Sequence, residues 1–314
     1  MATRKNKRKA EAAHTPWAPK WADEALDAEA TLTESIRNLR HVFARCRGQK
    51  NWADPLDGKP SSFTDRPAQV SSSALSEAEV AYFYSHAVCM AFEPDRNILA
   101  ATKYFLPRVF EVAVRIRHCG DPIKEGLAFD WWFIVQNMNR SRWLKWPEPQ
   151  RQAVVEFFSA WWTATLGYHV QLDAKVGRYE QIPSERSADE FFRAASGLDM
   201  DLSSMLRQWR AARTASAAAQ LIELIRHGIN RLLTTGYLWD DSDTDAVMGR
   251  QGEIVRWLLE PATAQQLQEA RAFCAEREAE MLIGEVLEML GSISPTWRSF
   301  ADRRSFPQWV RDSV

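Results

Sequence analysis

PEPQRQAVVEFFSAWWTATLG (residues 147–167) sets apolar and aromatic side chains at helical spacing behind a proline, and its reading decides the fold. Ala153, Val154, Phe157, Phe158, Trp161 and Trp162 recur at intervals of three and four, the period of a helix face. Pro147 stands where a first-turn proline belongs, because a residue there needs no backbone N–H. Just upstream, residues 123–138 carry Leu127, Trp131, Ile134, Val135 and Met138 at the same spacing. Two such helices predict an aromatic centre and the best-buried part of the chain.

Working outward, helix starts are signalled by Ser or Thr followed three residues later by Glu or Gln, a pairing that satisfies the free N–H groups of a first turn. The signature occurs at Thr31 with Glu34, Ser76 with Glu79, Ser187 with Glu190 and Thr263 with Gln266. The first precedes Ile36, Leu39, Val42 and Phe43. Residues 47–75, with Gly48, Gly58, Pro55, Pro60 and Pro67, predict an irregular connection. A helix near 98–116 is expected to break or kink near Leu106, because Pro107 removes a hydrogen bond and crowds the preceding turn. Further helices are expected near 187–196, 200–213, 215–235, 243–259, 263–290 and 295–304. Val170, Leu172, Ala174 and Val176 alternate like a strand, but with no second such run a lone extended segment is the expectation.

The whole reads as an all-α protein, an irregular α-α array of roughly ten amphipathic helices, mostly antiparallel neighbours. No repeat at about 33 or 34 residues supports a tetratricopeptide or ankyrin array. Residues 1–28 read as a mobile basic and Pro-rich arm and 29–314 as a helical domain, with a division near 170–186 left open. The arm holds Trp17 and Trp21, which either dock on a partner or fold back onto the chain's own core.

The segment Tyr104-Phe105-Leu106-Pro107-Arg108, the Trp146-Pro147 pair and the later Phe157-Phe158 and Trp161-Trp162 resemble a group of uncharacterised bacterial all-helical proteins. The resemblance covers about residues 75–170, with Trp239-Asp240-Asp241 extending it. It implies an all-helical fold and brings no known activity. Members often carry a cysteine pair ahead of this segment, where this chain has Cys46.

Composition limits the function classes. With 40 Lys and Arg against 41 Asp and Glu the formal charge is −1, so the whole chain offers no broad pull toward nucleic acid or membrane. Arg4, Lys5, Lys7, Arg8 and Lys9 make the leader basic, and the rest holds 35 basic residues against 41 acidic ones, a formal −6. That leader is the expected contact in a nucleic-acid alternative. The four cysteines lie far apart without CxxC spacing, and no apolar run approaches the roughly 18 residues of a membrane span. A cytoplasmic protein with reduced thiols is expected.

No motif carries chemistry. Asp240, Asp241, Asp243 and Asp245 are spaced like the start of a calcium loop, but Ala246 and Gly252 occupy the positions where that loop needs glycine and an acid. They read as acids before a helix N-terminus. His86 and Cys89, with His118 and Cys119, are candidate zinc ligands. In a straight helical hairpin turning near Pro94, His118 would lie about 30 Å along the axis from Cys89, so the site needs a sharp reversal at Pro107. Arg140, Arg142, Trp143, Lys145 and Trp146 interleave cations and rings, a pattern that can stack bases and touch phosphate; the alternative buries both rings and leaves the cations in solvent. No GxSxG, P-loop, GxGxxG or HExxH occurs. No cofactor is expected. The leading expectation is a non-enzymatic protein-interaction or scaffold protein of a bacterial multi-protein system. The alternatives are a nucleic-acid binder using the leader and the 140–146 loop, and an enzyme with a site among the aromatic helices.

Overall fold

Helical periodicity becomes helix throughout what the computed structural model describes, which is residues 21–46, 70–77, 79–80, 96–114, 131–168, 186–229, 245–272 and 277–301. Ten α-helices and no strand occur among these residues. They are α1 (Trp21–Val42), α2 (Arg96–Ala113), α3 (Trp131–Arg140), α4 (Glu148–Gly167), α5 (Ala188–Gly197), α6 (Leu202–Ala211), α7 (Ala215–Leu224), α8 (Asp245–Leu259), α9 (Pro261–Ala272) and α10 (Arg277–Ala301). Single 3-10 turns lie at Ser72–Ala74 and Trp143–Lys145, and a π-helical segment, Ile225–Ile229, continues α7. The alternating run at 170–176 lies outside the described residues, as do Trp17 and the leader cations.

α4 is the axis of the fold. Its buried residues Ala153, Val154, Phe157, Phe158, Ala160, Trp161, Trp162, Ala164 and Leu166 wrap most of its circumference, as expected of a helix enclosed by others. α1, α5, α6 and α7 all pack on it, and α5 touches α3, α6, α7 and α8 in turn. α1 lays the stripe Ala28, Leu32, Ser35, Leu39 and Phe43 inward and takes α4 as its main partner rather than its sequence neighbour α2. In a solenoid each unit touches only its neighbours. Here residues from both sides of 170–186 share one hydrophobic cluster.

The cluster's centre is a column of rings. Phe110 stacks on Phe157 at 4.3 Å, Trp131 on Trp161 at 4.2 Å, Trp162 on Phe191 at 4.7 Å and Trp209 on Trp257 at 5.1 Å. Edge-on contacts such as Trp162 with Trp209, 5.2 Å, join these pairs, so one aromatic chain runs from α2 through α3, α4, α5 and α6 to α8. Two of its indoles find backbone partners, Trp162 donating to the Met205 carbonyl and Trp209 to the Ala217 carbonyl, while the buried indole N–H of Trp131 has none among the described residues. The buried Gln220 joins α4, α5 and α7, its amide donating to the carbonyls of Thr165 and Arg186 while its oxygen accepts from the Ala188 N–H.

Two of the four cap signatures form caps. Ser76 and Glu79 exchange both hydrogen bonds, and the Ser187 hydroxyl accepts from the Glu190 N–H. The other two do not. α1 begins at Trp21, ten residues before Thr31 and inside the expected arm, because residues 22–30 are almost all Ala, Leu, Glu and Asp, with acids in the first turn. The Thr31 hydroxyl turns back to the Asp27 carbonyl at 2.8 Å. Thr263 lies inside α9, which opens on Pro261; its hydroxyl donates to the Trp257 carbonyl, and Gln266 donates to those of Trp209 and Ala212. Both polar groups thus satisfy the free carbonyls at the ends of other helices.

Of the break or kink expected near Leu106, the break does not occur. α2 runs through Pro107, whose placement costs about 3 kcal/mol. Phe105, Leu106, Val109 and Phe110, each 0 % exposed, flank it. At about 1.5–3 kcal/mol per buried side chain, their burial outweighs the lost hydrogen bond. The helix expected at 263–290 is divided into α9 and α10, and α10 absorbs the one expected at 295–304 by running through Pro295 to Ala301.

α3 and α5 meet tightly at Gly197. A β-carbon there would stand 2.5 Å from Val135 Cγ1, a stiff branched side chain that cannot swing aside. Asn139 ties the same spot by donating to the Gly197 carbonyl at 2.8 Å. Gly197→Ala is therefore expected to lower stability by about 1–3 kcal/mol, read as a lower denaturation midpoint with an unchanged slope. Neutral behaviour would show that the two helices do not meet this tightly.

Candidate functional site

Because α4 is enclosed on most sides, its polar residues are informative. Gln152, Glu156, Ser159 and Thr163 follow at intervals of four, three and four, a single stripe. The stripe lies beside Thr31, Glu34, Ser35, Arg37, Asn38 and His41 of α1, and the two sets wall an open groove of about 720 Å³ with Ala160 in its floor. Helix spacing sets both walls, and the apolar faces of the same two helices hold them in place.

The groove is hydrogen-bonded across. Asn38 donates to one oxygen of Glu156 at 2.8 Å and Gln152 to the other at 3.1 Å, which fixes the carboxylate across the α1–α4 seam. Thr163 donates to the Ser159 carbonyl and accepts from Gln208. Ser35 donates to the Leu32 carbonyl, and Arg37 pairs with Glu34 at 2.6 Å. These groups can hold a hydrogen-bonding ligand, and none of these contacts joins a hydroxyl to a general base as nucleophilic chemistry requires. Ala160 is the apolar side chain among the groove's lining residues.

One carboxyl elsewhere is perturbed. Glu223, in the last turn of α7, is partly buried, with its Oε2 enclosed and without a hydrogen-bond partner among the described residues. Burial, with the Asp189 carboxylate of α5 as a smaller contributor, pushes it up to about 8.

The residues singled out in the sequence are distributed as follows. Trp143 and Trp146 are buried, while Arg140, Arg142 and Lys145 are exposed. Trp146 donates its indole N–H to the Ser141 carbonyl and meets Phe43 edge-on. Neither ring is presented for base stacking. Trp21 opens α1. His86, Cys89, His118 and Cys119 lie outside the described residues, and the reversal at Pro107 that would bring them together is replaced by continuous helix. No group of three or more His, Cys, Asp or Glu able to hold a metal occurs among the described residues. Asp240, Asp241 and Asp243 also lie outside them. The thiol of Cys46 is unpaired, and burial pushes it up despite Lys103.

The groove residues were missed in the sequence. Their signal was present: a polar stripe on a helix otherwise apolar nearly all round. Its partner stripe on α1 lies more than a hundred residues away, and nothing in the spacing pairs the two.

Comparisons with protein-family models, curated proteins and solved structures find no match. No helix among the described residues is long and apolar enough to cross a membrane.

Proposed function

We propose that this chain is a non-enzymatic protein-interaction protein, a scaffold of a multi-protein system, whose α1–α4 groove seats a segment of a partner protein. The observation that carries the reading is the groove: two rigid helices, each locked by its apolar face, present hydrogen-bonding side chains along an open channel. Its size falls within the roughly 300–1,000 Å³ of ligand sites, and a polar wall suits a transient protein contact. The large apolar side chains exposed among the described residues, Leu144, Val155 and Met281, are scattered, so contact is through the groove rather than an apolar plate.

The ring column supports the non-enzymatic side. Trp131, Trp161, Trp162, Trp209, Phe157, Phe158, Phe191 and Phe192 are all under 2 % exposed, which leaves a substrate no path to them.

Ser159→Arg tests the proposal. Position 159 is exposed, so the variant should keep its stability within about 0.5 kcal/mol while its long side chain fills the channel. Tagged wild-type protein, purified with nuclease from the cells it comes from, should bring down a stoichiometric partner that the variant loses. The same partner recovered equally with both would overturn the groove as the docking face.

A further inference from the structure

The hydroxyls that wall the α1–α4 groove are set to accept hydrogen bonds. Thr31 and Ser35 donate to the carbonyls of Asp27 and Leu32, at 2.8 and 2.7 Å, and Thr163 donates to that of Ser159 at 3.0 Å. Each hydroxyl thus spends its one hydrogen on its own helix and keeps lone pairs for the channel. Thr163 uses one of its lone pairs to accept from Gln208 and has the other left.

The charges of the groove do not balance. Arg37 and Glu34 pair and cancel. With histidine counted neutral, Glu156 is the charge left over among the lining residues. One of its oxygens accepts from the Asn38 amide at 2.8 Å and the other from the Gln152 amide at 3.1 Å, and no cation pairs with it among the described residues. Neutral amides fix the carboxylate without neutralising it, and each oxygen keeps a lone pair. One turn along α4, Ala160 puts only a methyl group in the floor, which leaves room for a long side chain to lie in the channel.

We infer that the segment seated in this groove presents an arginine, whose guanidinium caps Glu156. The inference rests on the groove being a docking face for a partner protein and adds the chemistry of the occupant. A guanidinium carries five N–H donors in a rigid fork, so two meet the carboxylate oxygens and the others face hydroxyl lone pairs. Its aliphatic stem lies over Ala160. A lysine ammonium is a compact point charge without that fork. A carboxylate or phosphate on the partner would meet acceptors and a like charge. Position 159 stands three residues from Glu156 on the same helix, so the guanidinium introduced by Ser159→Arg reaches this carboxylate from within the chain and competes for it.

The test uses the full chain, fluorescently labelled, against short mixed-sequence peptides, acetylated and amidated, whose central residue is Arg, Lys, Gln or Glu. Arginine-centred peptides should bind wild type at least about tenfold more tightly than glutamine- or glutamate-centred ones, with lysine between. Glu156→Gln, at an exposed position, keeps the side chain's shape and the denaturation midpoint but should erase that preference. Glu288→Gln removes an exposed carboxylate on α10 and should leave the preference intact. An arginine preference that survives Glu156→Gln, or that Glu288→Gln weakens as much, would overturn the inference. So would lysine bound as tightly as arginine, which assigns the effect to charge alone, or free arginine competing as strongly as the peptides, which assigns the groove to a small molecule. Peptide binding that Ser159→Arg abolishes but that shows no arginine preference leaves the docking face standing and overturns the arginine. No peptide bound above the level of Ser159→Arg overturns both.

Discussion

Trp161→Ala is expected to destabilise the protein by about 3–5 kcal/mol, enough to consume much of the stability of an ordinary domain. Trp161, 1 % exposed, stacks on Trp131 at 4.2 Å and meets Phe191 at 4.9 Å and Phe158 at 5.5 Å. It therefore links α3, α4 and α5. Removing it leaves a hole lined by rings that are themselves pinned by further rings, so collapse into the space is hindered. Denaturant unfolding measures the effect. Trp161→Phe should lose much less, because it keeps an aromatic face toward Trp131. A loss below about 1.5 kcal/mol for the alanine variant would mean that the column rearranges freely, contrary to a close-packed core.

The second large effect concerns Glu223. Its carboxyl moves from an ordinary value of 4.5 up to about 8 in the fold. Between those limits the folded chain keeps a proton that the unfolded chain has lost, so raising the pH through this window lowers stability, and above about 8 the loss is complete. Glu223→Gln preserves the neutral shape and cannot ionise. The variant and wild type should be equally stable near pH 4, and by about pH 9 the variant should be more stable, by on the order of a few kcal/mol. The difference in denaturation midpoint between the two proteins, followed against pH, isolates this group from all others. A flat difference would show that Glu223 is ionised in the fold at neutral pH and has a partner.

The features legible in the sequence are those set by local chemistry. The aromatic helix at 148–167, the Ser187 cap and the helical class follow from spacing and from residues three apart. The misread features are those in which burial competes with a local rule. Pro107 stays helical because its apolar neighbours are buried on both sides, and Thr263 and Gln266 are taken up by carbonyls of α8 and α6 instead of their own helix start. The early start of α1 shows good helix formers outweighing a cap signature in mid-helix. For the groove, the polar stripe on α4 was readable, but the pairing of α1 with α4 is a property of the whole core. Glu223 left a trace too, since with Gln220 it is one of two long polar side chains in the apolar run of α7; only packing shows that Gln220 is buried and Glu223 partly so.

A partner segment lying in the α1–α4 groove can be caught in place. A photo-crosslinking amino acid placed at Thr163, inside the groove, and at Met281, exposed on α10, compares the two faces in the cells that make the protein. One discrete heavier adduct is expected from position 163, lost when Ser159→Arg is added, and no such adduct from position 281. No adduct at 163, or the same adduct from both positions, would contradict docking in the groove.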